Sequence, residues 1–292
     1  MSYTHLLTLH TLSPLHCGTG QAVGAIELPI ARERPTHLPI VPGSSLKGVL
    51  RAQRDTEGIH LATFGPETAN AGDQAGSVQF GDARLVLLPM RSVAGVFAWT
   101  TSPYLLRRFK KDLQAAGKAC WKGEIAVPTR QECLTADGKT LVTSLQRVVL
   151  EDLDFTVRTA DMALAESVAM TLGEAFFPGD ADSQAFLKSH LCIVHDDVMG
   201  LLLEMGTELQ AHVRLDPETK TVADGALWHE ESLPVESLLA SLVLVNPESK
   251  RGGGGASAKD IGDHLKQLCN GKAIQFGGKA SVGKGLCNVG MV

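Results

Sequence analysis

The sequence has no long apolar run, no closely spaced cysteines and few aromatic residues, 5% of 292. Each shortage excludes something. A membrane helix needs roughly 20 consecutive apolar residues, so no membrane partner is expected. Met1-Ser2-Tyr3-Thr4-His5 lacks the basic start and apolar core of a signal peptide, which makes the cytoplasm the expected location. The cysteines (Cys17, Cys120, Cys133, Cys192, Cys269, Cys287) stand far apart. They form no zinc-type pair, imply no disulfide framework, and are expected to be isolated buried thiols. Charged residues are also sparse, at 20% against 44% hydrophobic. That excludes disorder and supplies a core for one large domain or two small ones.

The net charge of -5 hides an asymmetry: residues 1–148 carry +5, residues 149–249 carry -15, and residues 250–292 carry +5. If the two basic ends meet in space they form one positive surface, which is what phosphates require. The acidic middle is then free to pair with the basic ends of a neighbouring copy.

Thr4 to Leu12 alternates partially and reads as an edge or half-buried strand. Pro42-Gly43-Ser44-Ser45 precedes LKGVLRAQR, a helix start with serine caps, and its turns place Lys47, Arg51 and Arg54 on one basic stripe. Strands are expected in 76–89 and 95–100, and a helix over 103–116 with proline in its first turn. A helix is expected at 196–205, and ELQAHVRL and TVADGALW form a hairpin about Asp216-Pro217-Glu218-Thr219-Lys220. A strand at 241–245, a helix at 258–268 and strands at 273–276 and 286–289 follow. The alternation fits an α+β fold built from ferredoxin-like units.

The stretch Phe276-Gly277-Gly278-Lys279-Ala280-Ser281-Val282-Gly283-Lys284-Gly285 is rich in glycine and lysine. It can bring backbone N–H groups and two ammonium charges to phosphate oxygens. It is not a triphosphate loop: Ala273 stands where that motif needs glycine, and Ala280 follows Lys279 where it needs Ser or Thr. No nucleotide cofactor is expected. Ser44 and Lys47 spell S-x-x-K, but no S-D-N or K-T-G accompanies them. His16 stands beside a glycine turn just after the first strand.

Six runs, LSPLHCGTG (12–20), ELPIARE (27–33), LPIVPGSSLKGVLR (38–51), FGDARLVLLPMRSVAGVFAWTTSPYLL (80–106), ALWHEESLP (226–234) and IQFGGKASVGKG (274–285), cover the chain from near one end to the other. On these the sequence resembles the RAMP superfamily of CRISPR-associated proteins, in particular the repeated backbone subunit of type III-B (Cmr-type) effector complexes. The resemblance implies one domain over 1–292, an RRM or ferredoxin-like palm with an inserted β-hairpin thumb within 150–235. Its partners would be guide RNA (crRNA), complementary target RNA, further copies of the chain and other Cmr-type subunits. The guide backbone would be held by Ser44, Ser45, Lys47, Arg51 and Arg54, by His16 and Gly18, and by Gly278, Lys279 and Lys284 of the glycine loop.

The resemblance also implies metal-dependent cleavage of target RNA at regular intervals, with Mg or Mn as cofactor and an aspartate responsible. This sequence has Glu27 there. Glutamate keeps the negative charge to bind a cation or act on a 2′-hydroxyl, but its carboxylate lies one methylene further out, and a displacement of about 1 Å can cost about a hundredfold. Two alternatives stand beside the nuclease: a scaffold that only binds guide and target, and a stand-alone enzyme that processes the repeat transcript.

Overall fold

The structure is a computed structural model describing residues 2–20, 26–53, 58–66, 75–216, 218–248 and 255–292. Its first strand shows how the core is organised. In β1 (Tyr3–Thr11), Leu7 and Leu9 enter one apolar cluster and Leu6 enters another. A strand apolar on both sides must lie in the interior of a sheet covered on both faces. β1 pairs antiparallel with β12 (Leu238–Val245) on one side and β14 (Leu286–Met291) on the other. It is therefore central, not the edge strand its partial alternation suggests, because both of its partners lie more than two hundred residues away.

The other strands of this sheet are β2 (Ile40–Val41), β3 (Val78–Phe80), β4 (Ala83–Arg91), β5 (Phe97–Thr101), β6 (Glu132–Thr135), β7 (Arg147–Leu150), β8 (Leu153–Val157), β9 (Leu191–Val194) and β13 (Lys272–Gln275). Their order is β13-β14-β1-β12-β4-β5-β9-β6-β8-β7, with β2 on β4 and β3 on β12. Only β5–β9 and β6–β8 run parallel. One cluster collects Leu46 and Leu50 of α1 (Gly43–Ala52), Phe64 of α2 (Gly58–Phe64), Leu202 of α6 (Asp196–Met205) and Leu265 of α7 (Ala258–Cys269). The other takes Phe109 of α3 (Pro103–Ala115), Leu172 of α4 (Met162–Phe176) and Leu187 of α5 (Ala181–His190). Each fully buried leucine contributes about 1.5–3 kcal/mol by leaving water.

Local chemistry fixes the helix ends. Ser102 caps α3, with Pro103 in the first turn, where its missing N–H has no bond to lose. Ser257 and Asp260 form a reciprocal capping box on α7. α1 departs from expectation: its cap is Pro42, without a side-chain bond, and Ser44 and Ser45 lie inside the first turn. The acceptor comes from a distant turn instead, Asp82 Oδ1 taking the Gly43 N–H at 2.8 Å. Five of the six cysteines are buried and all are unpaired, and burial pushes the thiols of Cys17, Cys269 and Cys287 up to about 12. Among the described residues no helix is long and apolar enough to cross a membrane.

β10 (Glu208–Leu215) and β11 (Val222–Ser232) form a separate two-stranded sheet. Asp216 closes its turn by accepting the Glu218 and Thr219 N–H groups. Leu209, Val213, Leu215, Val222 and Leu227 of this hairpin are each about half exposed, between 49% and 55%. A free hairpin is marginal in water, so its footing on the domain matters.

Candidate functional site

That footing is where four of the six sequence runs meet, 12–20, 27–33, 226–234 and 274–285. The end of β11 passes between three segments. Leu28 bridges Glu230 in parallel, giving its N–H to the His229 carbonyl at 3.1 Å and taking the Glu231 N–H at 3.0 Å. Leu15 and Leu233 exchange backbone bonds at 2.8 and 2.9 Å. The glycine loop closes over the 14–16 turn, with Gly278 N–H on the His16 carbonyl and Gly285 N–H on the Pro14 carbonyl, both 2.9 Å. Gly277 has φ +72, and a Cβ there would collide with the His16 carbonyl. Its missing side chain therefore admits the protein's own backbone rather than a ligand.

Strand alternation sends β11 side chains to opposite sides. On one side Glu230, 1% exposed, takes Lys284 Nζ at 2.7 Å and Lys279 Nζ at 3.1 Å; Lys284 also donates to Ser232 Oγ at 3.0 Å. Burial would push the Glu230 carboxyl up, but the hydrogen bonds and charges of both lysines more than offset this and hold it below its ordinary value. Lys279 Nζ lies 5.9 Å from the centre of the Trp228 ring, which stacks on His212 across the hairpin at 5.6 Å. On the other side, Glu231 takes the Ile30 N–H at 3.0 Å and Arg32 Nη2 at 2.5 Å, and its carbonyl accepts from His16 Nδ1 at 2.7 Å.

Glu27 belongs to this second side. It is exposed, and its Oε2 accepts the His229 backbone N–H at 2.9 Å and lies 3.3 Å from His229 Nδ1. The backbone bond is the main reason its carboxyl sits below the usual range, aided by the imidazole. No cluster of three His, Cys, Asp or Glu able to hold a metal occurs among the described residues, and Glu27 Oε2 is engaged by His229, so these residues make no closed cation site. A single carboxylate suits only a cation shared with RNA phosphates.

The structure gathers His16, Gly18, Glu27, Gly278, Lys279 and Lys284 round one strand end. A Cβ at Gly18 would lie 2.7 Å from His16 Nε2, and Gly278 flanks the same ring. Lys284 departs from the expected phosphate grip: at 7% exposure its ammonium is spent on Glu230. Lys279, also paired with Glu230, keeps a partly open side chain. Ser44, Ser45, Lys47 and Arg51 lie apart on α1, which packs on β3 and α2 and whose Leu46 and Leu50 belong to the same apolar cluster as Leu15 and Phe276. Arg51 donates to the Pro66 carbonyl. Lys47 has no ion pair among the described residues, and burial together with neighbouring Arg51 lowers its affinity for a proton. Such a site gains by taking an anion. Arg54 lies outside the described residues.

His229, Glu230, Glu231 and Trp228 were missed as site residues in the sequence. The available signal was three consecutive ionisable residues, His-Glu-Glu, at the end of an alternating strand. Also missed was a cleft of about 800 Å³ beside α3, lined by Arg34, Arg107, Arg108 and Lys111 about Tyr104. Both of its acids are engaged, Glu33 by Arg108 and Asp82 by the Gly43 N–H.

The model of the RAMP superfamily matches residues 8–288. The chain belongs to the RAMP superfamily. It is 38% identical over 291 residues to the Pyrococcus furiosus CRISPR system Cmr endoribonuclease Cmr4, covering 98% of this chain and 94% of the relative. It is 24% identical to the Saccharolobus solfataricus CRISPR system CMR subunit Cmr4, covering 95% and 93%. The structure of oligomeric Cmr4 from Pyrococcus furiosus matches this RAMP chain with a TM-score of 0.76 at 30% identity, over 99% and 97% of the two chains. A chain of the type III-B Cmr-beta complex bound to cognate target RNA shares the fold, with a TM-score of 0.72 at 19% identity over 99% and 97%. The mixed architecture with its mostly antiparallel sheet is that of the Cmr4 structures.

Proposed function

We propose that this chain is a backbone subunit of a type III-B CRISPR effector complex, in which copies stack along a guide RNA and cut the bound target RNA at intervals. The observation that carries the cutting is the placement of Glu27: an exposed, ionised carboxylate fixed on His229 at the root of the hairpin, two residues along β11 from the Glu231 carbonyl that His16 meets. Lys47, without an ion pair among the described residues, the first turn of α1 with Ser44 and Ser45, and the open face of Lys279 supply the phosphate contacts. The half-exposed apolar face of β10–β11 suits the thumb role, since apolar side chains set against a duplex displace stacked bases. Cleavage is attack of the target's own 2′-hydroxyl on the adjacent phosphate, and the protein's contribution is to hold a splayed nucleotide in line.

The test is a reconstituted complex with labelled complementary RNA. Evenly spaced products that vanish with Glu27→Ala, at unchanged target affinity, support the nuclease. A complex that binds target and leaves it whole makes the subunit a scaffold. A purified chain that cuts precursor transcript without partners would make it a processing enzyme instead.

A further inference from the structure

His229 holds Glu27, and Glu27 holds His229. A carboxylate only accepts hydrogen bonds, so the ring nitrogen facing it, Nδ1 at 3.3 Å, carries the hydrogen. In the neutral ring that leaves the lone pair on Nε2. The imidazole is 39% exposed, and its backbone is pinned by the same Oε2 that orients its ring. This is the geometry of a carboxylate-backed base, in which the acid fixes tautomer and direction and the imidazole handles the proton.

Resting on the nuclease reading, we propose that the target 2′-hydroxyl gives its proton to Nε2 of His229, and that Glu27 is the positioning residue behind it. The freed 2′-oxygen bonds to the adjacent phosphorus and the bond from phosphorus to the 5′-oxygen breaks. The departing 5′-oxygen takes a proton from solvent water, and the imidazolium returns its proton to the resulting hydroxide. The products are a 2′,3′-cyclic phosphate and a 5′-hydroxyl, with no co-reactant consumed.

Two features favour the imidazole over the carboxylate as base. Proton abstraction is most effective when the base titrates near the working pH, and Glu27 is held below even the ordinary carboxylate range. Moreover, the Glu27 oxygen nearest the strand end is already engaged by two N–H groups. The charged groups around His229 are Glu27 on the 26–30 segment and, two residues along the same face of β11, Glu231 with Arg32 on it. Across β10 the register partner is Ala211, which does not titrate. Glu230 with Lys279 and Lys284 occupies the opposite side of the strand.

Single-turnover cleavage in the guide-loaded complex, with target binding measured in parallel, tests this. His229→Gln keeps a donor for Glu27 and so preserves the hairpin footing, but cannot take a proton. It and His229→Ala should cut about 10²–10⁴-fold more slowly than wild type at unchanged target affinity. Added imidazole should partly restore His229→Ala. Wild-type cutting by both His229 variants, or slowed cutting that added imidazole does not restore, overturns the assignment while leaving the nuclease intact. A wild-type complex that binds target but never cuts removes both.

Discussion

The buried pair under the glycine loop gives a quantitative prediction. Lys284→Met removes the ammonium that meets Glu230 at 2.7 Å, where the two side chains are 8% and 2% exposed. Taking away one partner of a buried pair costs about 3–5 kcal/mol, because the other charge is left without compensation. Lys279 still touches the second carboxylate oxygen at 3.1 Å, which places the expected loss near the lower end, about 3 kcal/mol. With an unfolding entropy of about 2.1 cal/mol/K per residue over a chain of this length, that is a fall of about 5 °C in melting temperature. Thermal unfolding followed by circular dichroism at neutral pH measures it. The double variant Lys284→Met/Glu230→Leu should recover most of the loss, since replacing both charges with apolar groups is often close to neutral. A single variant that melts within about 1 °C of wild type, or a double variant worse than the single, would refute the reasoning.

Three further outcomes follow from geometry already described. Glu230 sits below its ordinary value in the fold, so its stabilisation is complete above the unfolded value of about 4.3 and is lost as pH falls further. Acid titration of the melting temperature should therefore be shallower in Glu230→Gln than in wild type. Asp82→Ala removes the acceptor from the Gly43 N–H, with an expected cost of about 0.5–2 kcal/mol in denaturant unfolding, while Ser44→Ala costs far less because Ser44 makes no cap. Gly277→Ala forces a methyl against the His16 carbonyl at a positive φ, so both stability and target cleavage should fall. A fully active, equally stable Gly277→Ala protein would show that the loop is not clamped to that turn.

The elements were legible where period and punctuation agreed. α3 has an apolar stripe and a Ser-Pro start, α7 its capping box, and β10–β11 alternate about Asp216. Long-range partners were not legible. Nothing near Thr4 announces strands at 238–245 and 286–291, and nothing near Ser44 announces that Asp82 will cap the helix in its place. The lysines of the glycine loop were read as a free positive surface because their partner, Glu230, lies in the acidic middle and only the fold brings it underneath. Part of the charge asymmetry is thus resolved within one chain. Lys279, Lys284 and Arg32 from the basic ends meet Glu230 and Glu231, which leaves less of the acidic middle for a neighbouring copy.

The strand end at 228–233 also has a kinetic meaning. Glu27 meets His229 across 202 positions, His16 meets Glu231 across 215, and β1 waits for β14 almost the whole chain away. Contacts of such separation form late and slowly, since the loop between them must close first. A partly made or partly refolded chain therefore has its helices before it has its hairpin footing. The same architecture that joins the phosphate grip to the cleavage group keeps an unfinished chain from presenting either in working order.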